Sequence, residues 1–151
     1  MRRRSAPQPD PEFFIDRSLG RHVVADALRT EGLTVHTLAS VYGEQEGQQV
    51  ADEDWLRLAG EKGWLVLMKD DSIRRRPAEL AAVREAEVRA FCVTNANLTG
   101  RQYADLLVRH RHRIIQRSRR PGPYVYGVYE DGLRQLWPPA GRASSTTSPA
   151  G

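Results

Sequence analysis

Asp16, Asp52 and Asp70 are the residues whose type and placing could do chemistry. Asp16 closes the apolar run Phe13-Phe14-Ile15, Asp70 closes Trp64-Leu65-Val66-Leu67-Met68-Lys69, and Asp52 opens a helical pattern. Carboxylate oxygens are hard ligands, suited to Mg²⁺ or Mn²⁺ and poorly suited to softer metals. Gathered at one place, three carboxylates repel one another unless a divalent cation compensates them. Such a cation activates water and stabilises charge developing on a phosphate. A plainer role exists for Asp52, which is well placed as the N-cap of its helix, with acids in the first turn suiting the dipole. The two roles are compatible, since a capping carboxylate keeps a second oxygen free.

Positioning these acids falls to elements that the apolar pattern predicts. Short apolar runs that stop at a charge read as strands buried on both faces, the kind found in parallel sheets. Phe13 to Ile15 and Trp64 to Met68 are two of them; Leu33 to Leu38, rich in β-branched residues, reads as another strand, and Arg89 to Val93 as a fourth. Helical spacing between them predicts helices over about 19–31, 52–59, 78–87 and 100–117. Gly32 is suited to the C′ position, Pro77 to the first turn and Thr99 to the cap. Val41 to Val50 reads as a mobile loop. Tyr124 to Tyr129 and Leu133 to Leu136 flank Glu130-Asp131-Gly132 and predict a terminal hairpin. A strand–helix–strand order with parallel strands is an α/β fold, and in open α/β sheets ligands bind outside the carboxyl ends of the strands. Asp16 and Asp70 both fall at such ends.

The 151 residues fit one domain, with 1–11 and 138–151 as disordered tails and 12–137 as the folded part. A formal charge of +4 is mild, but the arginines cluster, which favours an anionic partner. The lone cysteine, Cys92, excludes an intrachain disulfide, fits a reducing cytoplasm and sits in an apolar run as a buried structural thiol. No run approaches a membrane span, and the basic start is followed by prolines rather than a secretory core. His22 and His36 lack neighbouring ligands. His110 and His112 are spaced too closely on a helix to share a face and read as surface residues.

The ordered series Phe13 to Gly20, Asp52-Glu53-Asp54-Trp55-Leu56 and Gly63 to Asp70 resembles the PIN-like nucleases, and most nearly the VapC-type toxins of bacterial toxin–antitoxin systems. Asp70 to Arg74, running on through Arg76-Pro77-Ala78-Glu79, resembles one branch of those toxins. The resemblance spans roughly Phe13 to Ile115 and rests on the order of its pieces. It implies a three-layer α/β/α fold with a mainly parallel central sheet, a metal-dependent endoribonuclease of the bacterial cytoplasm and a cognate antitoxin that blocks the site. Carried over, Asp16, Asp52 and Asp70 match the acidic metal-site positions, with Glu53, Asp54 and Asp71 as adjacent alternatives. Met68 stands where a small hydroxyl residue is common. Asn95 or Asn97 stands in place of a clear fourth acid, able to ligate or orient water without adding charge. That departure motivates a rival reading, a catalytically inactive PIN-like module that binds RNA or protein. A homodimer is compatible with this class, and no stretch marks its surface.

RNA suits the arginines. Arg74, Arg75 and Arg76 follow the central strand directly, and the long helix carries Arg109, Arg111, Arg113, Arg117, Arg119 and Arg120. Such clusters give salt-dependent, sequence-independent affinity. A solvated helix face, or a surface matching an acidic antitoxin, accounts for the long helix equally well.

Overall fold

The computed structural model describes residues 10–20, 22–69 and 72–139. Asp70, Asp71 and most of both tails lie outside them. Strands β1 (Phe13–Ile15), β2 (Val35–Thr37), β3 (Leu65–Lys69), β4 (Arg89–Val93), β5 (Tyr124–Tyr129) and β6 (Gly132–Trp137) form one sheet in the order β2-β1-β3-β4-β5-β6. The first five run parallel, and β6 returns antiparallel through the expected hairpin. Period-two alternation then divides the core. Phe13, Ile15, Leu65, Leu67, Phe91 and Val93 face one side, against helices α1 (Val23–Thr30), α6 (Gly100–Arg109) and α7 (Arg111–Arg117). Phe14, Val66, Met68, Ala90 and Cys92 face the other, against α4 (Asp52–Lys62) and α5 (Pro77–Glu85). This is the three-layer α/β/α arrangement. No described helix is long and apolar enough to cross a membrane.

Four local expectations are corrected. The first helix begins at Val23 because a 3-10 turn, Arg17–Leu19, and Gly20 at φ +90° intervene. The second strand ends at Thr37, and two short helices follow: α2 (Leu38–Tyr42), which runs into the expected loop, and α3 (Glu44–Gly47), which lies within it; Thr37 and Ser40 cap α2 reciprocally. Asp52 is the first helical residue rather than the cap, a position occupied by Ala51 without a side-chain bond. The long helix is broken at His110, which is 6% exposed rather than a surface residue and whose Nε2 lies 3.2 Å from the Glu130 carbonyl oxygen.

Candidate active site

β1 connects outward to β2, and the chain then crosses back to β3 on the other side of β1. The crevice at the carboxyl ends of β1 and β3 is therefore the topological switch point, where α/β sheets place ligands. Asp16 follows β1 directly, and its N–H donates to the Leu67 carbonyl at 2.9 Å, locking it to β3. Alternation puts Asp16 on the same face as Phe14, towards α4. Its carboxyl is held above the ordinary carboxylate range, chiefly by burial and further by the charge of Asp52; hydrogen bonds from Ser18 and Arg17 pull it the other way. Ser18 Oγ donates to Asp16 Oδ2 at 2.6 Å and accepts from the Lys69 N–H at 3.0 Å, so one hydroxyl ties both strand ends together.

Asp52 is positioned through Trp55, one helical turn further on. The buried Trp55 ring stacks on Phe14 at 5.0 Å, and its Nε1–H donates to Asp52 Oδ1 at 3.0 Å. Phe14 stands two residues before Asp16, so the ring pair registers α4 on β1. Arg17 reaches the same Oδ1 at 3.3 Å while donating to the carbonyls of Gly47 (3.1 Å) and Val50 (3.0 Å). Its guanidinium thereby fastens the segment before α4 to the end of β1. Across the crevice, Arg76 lies 4.0 Å from Asp52 Oδ2 and 3.5 Å from Glu79 Oε2. Glu79 has its carboxyl raised above the usual range, by burial first and then by Asp52, with Arg76 opposing. A cavity of about 520 Å³ adjoins this edge, with Ile15, Arg17, His22, Thr37, Ser40 and Glu44 among its lining.

Residues 11–95, more than half of the chain, match the family described as PIN like domain. The chain belongs to that family. A Mycobacterium tuberculosis (strain ATCC 25618 / H37Rv) protein named "Putative ribonuclease VapC45" is 36% identical over 117 residues, covering 78% of this chain and 85% of that one. No solved structure matches this chain.

In this PIN-like domain the fold brings together Asp16 and Asp52, with Glu79 beside them. Glu53 is half-buried, one residue along α4. Asn95 and Asn97 are exposed after β4 and occupied with their own turn: Asn95 Oδ1 accepts from the Asn97 N–H at 2.9 Å. Arg74 is half-buried and Arg75 exposed in the 3-10 turn after β3, neither without a partner. Among the described residues no three His, Cys, Asp or Glu side chains form a group able to hold a metal ion. The donors that do converge are hard carboxylate oxygens, and two of them, Asp16 and Glu79, are raised in pKa by burial first and further by Asp52, a set that fits part of a divalent-cation site and no softer metal.

Ser18, Arg17, Trp55 and Glu79 were not legible as site residues from type alone. The signals present were a hydroxyl two residues after a strand-end acid and an acid in the first turn of a helix opened by Pro77.

Proposed function

We infer that this PIN-like domain is a Mg²⁺- or Mn²⁺-dependent endoribonuclease, the toxin of a bacterial toxin–antitoxin pair, acting in the cytoplasm on RNA phosphodiesters. The observation that carries this reading is a desolvated Asp16 at the sheet's switch point, facing a second acid that Trp55 and Arg17 hold in place. The name of the mycobacterial relative supports the reaction class. Asp16, Asp52 and Asp70, which follows Lys69 in the chain, would hold the cation, with Glu53, Asp71, Asn95 and Asn97 as secondary candidates; when bound it supplies an activated water and compensates charge on the phosphate.

The protein's own contribution is preorganisation. Ser18 keeps Asp16 oriented, and Arg17 and Trp55 keep Asp52 from swinging to solvent. Arg74, Arg75, Arg76 and Arg113 would steer the RNA backbone, and a cognate antitoxin would act by covering this edge. RNA incubated with Mn²⁺, Mg²⁺ or EDTA, beside an Asp16→Asn control, tests the reading. Cleavage should require the cation and vanish in the variant; metal-stimulated cleavage that survives Asp16→Asn would falsify it. A non-catalytic RNA-binding module is the second reading, favoured by the two asparagines where a fourth acid is expected. It predicts RNA binding indifferent to chelator and to Asp16→Asn, with no cleavage in any condition.

A further inference from the structure

A second cavity, about 620 Å³, lies between α7 and β6 and is lined by Arg113, Gln116, Arg117, Arg119, Arg120 and Leu133. It is remote from the acidic edge: β6 stands three strands from β3, roughly 14 Å across the sheet at the usual strand spacing. Four guanidinium groups border it, and no carboxylate does. Several arginines elsewhere are paired with carboxylates, as in Arg57–Glu85 at 2.7 Å, Arg109–Glu130 at 2.7 Å and Arg111–Glu31 at 3.2 Å. Among the described residues none of the four cavity arginines forms such a pair. Arg113 has only the neutral carbonyl of Asp131, at 3.4 Å.

Arg117 is the most telling of them. Its guanidinium rests over the Tyr126 ring at 5.2 Å, and that ring is itself tethered by its hydroxyl to Gln135 Oε1 at 3.2 Å. Its Nε is buried without any hydrogen-bond partner. A guanidinium held by packing over a ring rather than by a carboxylate keeps its charge uncompensated beside the cavity. Like charges around one cavity add to the demand for an anion.

The shape of that demand selects the ligand. Guanidinium forks match phosphate oxygens bidentately. A protein partner would need an apolar or aromatic core to bury, and Leu133 is the only apolar side chain in the lining. We propose that the α7–β6 cavity is a phosphate exosite that grips the sugar–phosphate backbone of RNA away from the acidic edge. The choice of RNA among polyanions rests on the ribonuclease reading; the site itself does not.

The test is equilibrium binding of a fluorescent oligouridylate to the full chain in EDTA, where no cleavage occurs, measured against salt concentration. Arg119 and Arg120 are exposed, so Arg119→Ala/Arg120→Ala leaves the core intact, which circular dichroism checks. For single strands each lost phosphate contact flattens the slope of log K against log salt by roughly 0.7, so the double variant should flatten it by about 1.4. Arg119→Lys/Arg120→Lys should restore most of the slope. An unchanged slope in the alanine variant overturns the exosite. So does RNA binding that stays intact while binding to polyglutamate is lost, which would assign the cavity to an acidic protein. A chain that binds RNA here and never cleaves it would sink the nuclease reading and leave the exosite standing.

Discussion

Ser18 shows how much of this site depends on one small side chain. Its hydroxyl donates to Asp16 and accepts from Lys69, so it fixes the carboxylate and joins the ends of β1 and β3. Groups that orient a metal-binding carboxylate typically account for 10–100-fold of affinity or activity. Ser18→Ala should therefore reduce cleavage by roughly that factor. Because the Ser18 bonds lower the Asp16 pKa, their loss should also move the acid limb of the kcat–pH profile to higher pH. Ser18→Thr, which keeps the hydroxyl, should keep the wild-type limb. A reduced rate with an unmoved limb in Ser18→Ala would mean that the serine acts through packing alone.

At the scale of elements, what was legible followed from periodicity. Runs such as Leu65 to Met68 and Arg89 to Val93 became the parallel strands expected of them, because a strand buried on both faces can be built from little else. The strand-end position of Asp16 was legible for the same reason. What the pattern could not carry were specific polar pairings. His110 looks like a surface residue by type, yet it is buried where α6 meets α7, its Nε2 3.2 Å from a carbonyl of the β5–β6 turn. Arg17 looks like a solvated charge, yet three acceptors from the 47–52 stretch converge on it. Gly60 is another position whose role depends on a distant neighbour. A Cβ there would run into the carbonyl of Ala86, just past α5, and would stand 2.6 Å from the Ala86 Cβ. Gly60→Ala gains up to about 1 kcal/mol of helix propensity. Overpacking of this kind costs about 1–3 kcal/mol, so the net change should be destabilising. It should also loosen α4, which carries Asp52. A lower urea midpoint with weakened cleavage is expected, whereas Glu61→Ala, on the exposed face, should change stability by less than about 0.5 kcal/mol. Equal midpoints for the two variants would show that the helices can part there freely.

Over the whole molecule, the proposed role of Asp16 would set stability against function. The folded state raises the pKa of Asp16 above its unfolded value, so the native protein binds the proton more tightly. Stability then falls as pH rises from the ordinary carboxylate range through the raised pKa, and stays lower at neutral pH. Glu79 contributes with the same sign. Asp16→Asn removes the Asp16 part while its amide oxygen can still accept from Ser18. In EDTA at pH 7 the variant should melt higher than the wild type, with the gap closing below the ordinary carboxylate range. A divalent cation that binds only the native state adds stability by mass action, about 2.7 kcal/mol at one hundred times its dissociation constant. Mn²⁺ should therefore raise the wild-type melting temperature and leave Asp16→Asn nearly unmoved, reversing their order. That reversal separates a carboxylate kept for a cation from one kept for the fold. A structural Asp16 would leave the variant less stable in both conditions. If the two proteins shifted equally with Mn²⁺, the cation would be bound elsewhere and Asp16 would lose its assigned role.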